Sequence, residues 1–125
     1  MHSVKFMPLL AGLAFLSSCI TQQVDPTADL PNLSYQADIS PIISANCAYS
    51  GCHDGGGNEL FPLTTYDELI GYCSIKAGKP HDSKLYDVIR QYTGESAMPP
   101  SPNEPLSDEQ IATIYVWILQ GAKNN

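Results

Sequence analysis

Basic side chains are scarce in this chain: lysine and arginine together number 6 against 13 acidic residues, for a formal charge of −7 over 125 residues. A surface that follows nucleic-acid phosphates needs the opposite sign, so a nucleic-acid partner is excluded. No apolar run comes near the roughly 20 residues that a membrane-crossing helix requires. No segment shows convincing strand alternation either, which leaves helices and loops as the material of the fold. At 125 residues there is room for one domain. Glycine and proline, by contrast, are plentiful at nine and ten, so loops take up much of the chain. Four cysteines in so short a protein demand a disulfide, a metal or a covalent cofactor.

The first residues are read as a targeting segment and excluded from the fold. Lys5 gives a weak positive start, and residues 6–16 are apolar apart from Pro8 and Gly12. That length suits a signal-peptide core. The run ends in Leu16-Ser17-Ser18-Cys19, which resembles the bacterial lipobox, where the cysteine is lipidated and becomes the mature N-terminus. An ordinary secretory signal with an incidental cysteine is the plainer alternative. Residues 1–18 are therefore expected to be a lipoprotein signal peptide, and the protein to be exported, where haem attachment and disulfides are possible. Ile20-Thr21-Gln22-Gln23 follows without an acidic residue. By resemblance to sorting rules, that implies a lipid anchor in a bacterial outer membrane with the protein facing the periplasm.

Residues 19–34 are polar, carry Pro26 and Pro31, and read as a lipidated N-terminus and flexible tether. The folded domain is expected over 35–125, small enough that a buried cofactor would help its core. Four short helices are predicted. Ser40 with Pro41 forms an N-cap and first helical position ahead of Ile42, Ile43 and Ala45. Thr65 with Glu68 is a capping box for a helix through Tyr66, Leu69 and Ile70, stopped by Gly71. Asp82 or Ser83 caps a third helix whose face is Leu85, Val88, Ile89 and Tyr92. Ser107-Asp108-Glu109-Gln110 opens the fourth, with Ile111, Ile114, Tyr115 and Ile118 in one stripe, Trp117 beside it and Gly121 at the end. The fold class is small all-α with long Gly/Pro-rich loops.

The chemistry lies in Cys47-Ala48-Tyr49-Ser50-Gly51-Cys52-His53. Two cysteines with a histidine directly after the second form the pattern of c-type haem attachment, here with four intervening residues instead of two. Each thiol adds across one vinyl group, so both must lie near one edge of the macrocycle. The adjoining His53 is then held beneath the iron as proximal ligand. Gly51 eases the outward turn that the wider spacing requires. The second axial ligand follows by elimination. Met1 and Met7 leave with the signal, so Met98 is the single methionine of the mature chain, in the rigid loop Ala97-Met98-Pro99-Pro100.

The domain resembles class I cytochrome c, close to the forms with widened cysteine spacing in exported bacterial proteins. Its landmarks are Asp38-Ile39-Ser40-Pro41-Ile42, the segment from Cys47 to His53, the Met98 loop, and Trp117-Ile118-Leu119-Gln120-Gly121-Ala122. The resemblance implies crossing N- and C-terminal helices with one covalent haem c in the crevice behind them. It also implies a single-electron carrier, not an enzyme, with redox proteins as partners and no small-molecule substrate.

Two rivals are weighed beside it. A small haem peroxidase needs an open sixth position, which the Met98 loop opposes. A zinc- or disulfide-stapled interaction module could use Cys47, Cys52, Cys73 and His81, but leaves His53 and Met98 without a role. Cys73 is read as a core thiol and His81 as an exposed residue near a helix start. The glycines of Asp54-Gly55-Gly56-Gly57-Asn58 suit backbone lying close to a flat cofactor. Lys76, Lys79 and Lys84 make a local basic spot that could offset haem propionates. Tyr66, Tyr86, Tyr92, Tyr115 and Trp117 are expected to line the core or crevice.

Overall fold

A computed structural model describes residues 29–57 and 60–125. The signal peptide, Cys19 and most of the tether lie outside the described residues. Those described contain helices and turns and no strand, so the fold is small, all-α and cytochrome c-like. Four α-helices follow in order: α1 (Ser40–Asn46), α2 (Tyr66–Tyr72), α3 (Lys84–Ile89) and α4 (Asp108–Leu119).

The first helical run begins six residues before the expected start. A π-helical turn, Tyr35–Ile39, leads straight into α1. Its N-cap is Ser34, not Ser40: the Ser34 hydroxyl accepts from the Ala37 N–H, and Asp38 returns the bond to the Ser34 N–H at 2.7 Å. The wide turn closes where the Ser40 N–H reaches the Tyr35 carbonyl. Pro41, which has no N–H to give, comes next, and a widened turn upstream accommodates that missing donor. This π-turn rests on α4. There the Tyr35 ring lies 6.0 Å from the Trp117 ring and edge-on to Tyr66 at 5.1 Å. The start of this helical run is tied to Asn125 as well, since the Gln36 N–H and the Ser34 hydroxyl both donate to the Asn125 carbonyl.

The capping boxes of α2 and α4 form as the sequence predicts, at Thr65/Glu68 and Ser107/Gln110. Three Thr64 and Thr65 donors on the Glu68 carboxylate hold its pKa below the usual range, the Thr64 hydroxyl being the largest cause. Gly71 does not stop α2, which runs on to Tyr72 with Cys73 as its C-cap. Gly121 does terminate α4, at φ +103° in the left-handed region that favours glycine. The buried face of α4 is Ile111, Ile114, Trp117 and Ile118, while Tyr115 is half-buried. Each such side chain contributes about 1.5–3 kcal/mol by leaving water.

The third helix departs most from expectation. It ends at Ile89, and Tyr92 lies beyond it, 62% exposed, with its hydroxyl on the Asp108 carboxylate. Tyr92 therefore lines neither core nor crevice. Ser83 is the N-cap residue of α3 by backbone, yet its side chain makes no cap bond. Instead its buried hydroxyl accepts from the Lys76 N–H at 2.9 Å and donates to the Lys79 carbonyl at 2.8 Å. A 3₁₀ turn, Pro80–Asp82, fills the gap between α2 and α3 and rests on α4.

Candidate functional site

Residues 47–53 close into one outward loop. The Cys47 N–H bonds the Ile43 carbonyl as the C-cap of α1, the Cys52 N–H bonds the Tyr49 carbonyl, and the His53 N–H returns to the Cys47 carbonyl at 3.0 Å. Four spacer residues are thus accommodated while Cys47 and His53 stay hydrogen-bonded neighbours. Gly51 carries the reversal at φ +87°. A Cβ there would meet nothing, so the requirement is the backbone angle and not the space.

His53 is buried, and its Nδ1 lies 2.7 Å from the Phe61 carbonyl. A carbonyl only accepts, so Nδ1 carries a proton, and in the neutral ring Nε2 is the nitrogen with the lone pair. That is the tautomer and the orientation a metal-ligating histidine requires. The Phe61 ring packs 4.6 Å from the imidazole and stacks in turn on Tyr72 at 5.0 Å. The Leu63 N–H on the His53 carbonyl fixes the far side of the loop.

Two adjoining cavities, about 320 and 180 Å³, open beside this loop, and both are lined by Cys47, His53 and Met98. The larger takes its walls from Leu63, Leu85, Val88 and Ile89, with Lys84 and Glu95 also on its lining. Cys52, Tyr49 and Pro99 line the smaller. Met98 is placed there because its N–H bonds the Val88 carbonyl at 3.1 Å, pinning the loop to α3. The expected set of Cys47, Cys52, His53 and Met98 therefore converges on one crevice, although 45 residues separate the histidine from the methionine. Apolar walls, a lone-pair nitrogen, a thioether and two thiols are the donor set of a flat apolar macrocycle holding iron. Leu60, Phe61 and Tyr72 around the crevice are 41–53% exposed.

Burial pushes the Cys47 thiol up to about 11, helped by the nearby Cys52. Cys73 is pushed up to about 12, by burial first and then by Cys47. A hydrogen bond with the Cys52 thiol raises the Tyr49 hydroxyl.

The zinc alternative does not survive. No group of three or more potential ligands able to hold a metal occurs among the described residues. His81 packs against Tyr86 at 5.3 Å and Tyr115 at 5.6 Å and is absent from the linings of both cavities. Residues 54–57 do not line the crevice either. Asp54 accepts from the Gly56 N–H in a local turn, and Gly55 and Gly57 take positive φ. Two site features escaped the sequence. The Phe61 carbonyl carries no signal, since every residue has one. Cys73 is buried as expected but also faces the larger cavity.

An all-α chain that gathers a haem-attachment motif and a methionine around an apolar crevice defines a class of small haem-binding proteins. The chain is 36% identical to cytochrome c6 of Picosynechococcus sp. over 89 residues, which cover 67% of this chain and 71% of that protein. It belongs to the c-type cytochromes and is a monohaem electron carrier with covalently bound haem c. No family model matches the sequence, and no solved structure matches it.

Proposed function

We propose that this protein is a lipid-anchored, periplasm-facing electron carrier in which Cys47 and Cys52 hold haem c by thioethers while His53 and Met98 ligate its iron. The observation that carries the reading is the joint placement of Cys47, His53 and Met98 on both cavities, with His53 oriented by the Phe61 carbonyl. Bound haem supplies the one-electron chemistry. The chain's own contribution is to bury that group among Leu63, Leu85, Val88 and Ile89, and to hold both axial side chains so that little rearranges when the charge changes. Lys84 on the lining offers a cation to the propionates, although Asp87 shares it at 3.6 Å.

The anchor rests on Leu16-Ser17-Ser18-Cys19 and the outer-membrane placement on the residues after it. No helix among the described residues is long and apolar enough to cross a membrane. Redox proteins are the partners of such a carrier.

Acid–acetone extraction of denatured protein tests the attachment. Haem should stay with the polypeptide and add one haem of mass, and Cys52→Ala should mature poorly with at most one thioether. Haem that extracts freely would overturn the thioether assignment. Labelled fatty acid should mark the wild type and vanish in Cys19→Ser, and a mature N-terminus elsewhere would refute lipidation.

A further inference from the structure

We infer that residues 76–90, together with Tyr115, form a docking surface for an acidic patch on a partner redox protein. The inference rests on the electron-carrier reading and adds the chemistry of the partner. Charge is spread unevenly over this chain. Residues 76–90 carry four of its six basic side chains, Lys76, Lys79, Lys84 and Arg90, and two of its thirteen acidic ones, Asp82 and Asp87. That is a net +2 within a chain whose total is −7.

The fold gathers these positions. The buried Ser83 hydroxyl accepts from the Lys76 N–H at 2.9 Å and donates to the Lys79 carbonyl at 2.8 Å, with Lys84 next in the chain. The Gly78 N–H on the Ile118 carbonyl holds the same loop against α4. These bonds use only the main chain of Lys76 and Lys79, and the side chains of all three lysines and Arg90 are exposed. Asp87 is shared by Lys84 at 3.6 Å and Arg90 at 3.1 Å, whereas Lys76 and Lys79 form no ion pair among the described residues. Three rings meet in the same stretch. His81 lies 5.3 Å from Tyr86 and 5.6 Å from Tyr115, and the two tyrosines lie 5.1 Å apart. His81 is exposed and both tyrosines are half-buried. Aromatic rings inside a charged rim are the anatomy of a protein–protein contact.

An acidic protein fits this surface better than an anionic membrane does. A membrane is a plane that meets a whole side of the molecule, and the rest of the sequence is strongly acidic. A protein can confine its carboxylates to positions opposite Lys76 and Lys79 and leave Asp82 and Asp87 uncontested. Screening limits the reach of each charge to about 10 Å at 0.1 M salt, so the local basic excess governs the final approach. Lys84 also lines the larger cavity, and α3 supplies both Tyr86 and the cavity walls Leu85, Val88 and Ile89. A partner seated here stands beside the crevice proposed for the haem.

Haem-loaded protein carrying Cys19→Ser, which removes the lipidation site, is isotope-labelled and titrated in its reduced state with a hexaglutamate peptide at low salt. Amide resonances of residues 76–90 and Tyr115 should shift, and added salt should reverse the shifts. Lys76→Gln/Lys79→Gln should weaken the peptide several-fold. Lys123→Glu changes the net charge by the same amount outside the stretch and should leave the affinity nearly unchanged. No shifts, shifts centred elsewhere, or equal weakening by the two variants overturns the inference. Phosphatidylglycerol vesicles that bind the protein while the peptide moves no resonance would make the face a lipid contact and overturn the protein assignment. Oxidation by the anion hexacyanoferrate(III) reads the link to the crevice. Its rate should fall several-fold as salt is raised, the sign of attraction, and Lys76→Gln/Lys79→Gln should flatten that dependence. A wild-type rate that rises with salt shows the total charge in control and overturns the link. Haem that extracts freely would strike at the thioether reading, while the peptide map, which involves no electron transfer, still decides the surface.

Discussion

Ser83→Ala isolates one polar contact on which the crevice depends. Ser83 is 1% exposed, and its hydroxyl both accepts from the Lys76 N–H at 2.9 Å and donates to the Lys79 carbonyl at 2.8 Å. Alanine removes the shared partner and takes the acceptor from the Lys76 N–H, while the Lys79 carbonyl keeps the Asp82 N–H at 3.2 Å. The orphaned donor costs about 1–3 kcal/mol, so the expected loss is about 2 kcal/mol. For a domain of this size, about 4–8 °C of Tm accompanies each kcal/mol, which predicts a fall of roughly 8–16 °C. Thermal unfolding of the holoprotein by circular dichroism measures it. Ser107→Ala, which deletes an exposed capping hydroxyl of α4, is the reference at about 1 kcal/mol. The reach of Ser83 extends to the site: α3 begins beside it, supplies Leu85, Val88 and Ile89 to the cavity, and holds Met98 through the Val88 carbonyl. A loss of less than ~0.5 kcal/mol, or one smaller than that of Ser107→Ala, would refute the reasoning, because it would mean the Lys76 N–H finds another partner.

The sixth ligand is read from spectra. Oxidised wild type should show the weak red charge-transfer band of sulfur-to-iron ligation, and Met98→Ala should lose it while gaining cyanide and carbon monoxide binding. His81→Ala should change neither, since His81 packs against Tyr86 and Tyr115 away from the crevice. A high-spin wild type that binds peroxide would favour the peroxidase reading. In the haem-free chain, pKa values near 11 for Cys47 and 12 for Cys73 exceed the ordinary 9.0, so the folded state binds more protons than the unfolded state above pH 9. Their contribution to stability is full below pH 9 and is lost as the pH rises through 11 to 12. Iodoacetamide at mildly alkaline pH should therefore label Cys47 about a hundredfold and Cys73 about a thousandfold more slowly in native buffer than in denaturant. Equal rates would show that the thiols are not buried.

Local features of the chain were legible wherever the chemistry is local. Thr65 with Glu68 and Ser107 with Gln110 are reciprocal side-chain-to-backbone boxes spanning three residues, and both form. The α4 stripe of Ile111, Ile114 and Ile118 follows from helical spacing, and Gly121 takes the left-handed angle that its place after a helix demands. The haem motif belongs to the same category. Adjacency of Cys52 and His53 is a covalent fact, and elimination singles out Met98 once the signal is set aside.

Other features required the folded chain, because they depend on which distant groups meet. Ser40 and Ser83 both read as helix caps in the sequence. Packing of the π-turn on α4 moved the first cap back to Ser34, and burial turned the Ser83 hydroxyl to the Lys76–Lys79 loop, where it satisfies two backbone groups at once. Tyr92 fits the apolar spacing of α3, but the helix ends before it and Asp108 takes its hydroxyl into solvent. The Phe61 carbonyl orients His53 as an identity-free backbone atom, invisible to any pattern of side chains. Cys73 shows the division most plainly. Its residue type places it inside, as burial of a small apolar thiol would. Only the folded chain sets it on the wall of the larger cavity together with Cys47, since no local rule connects residues 26 apart.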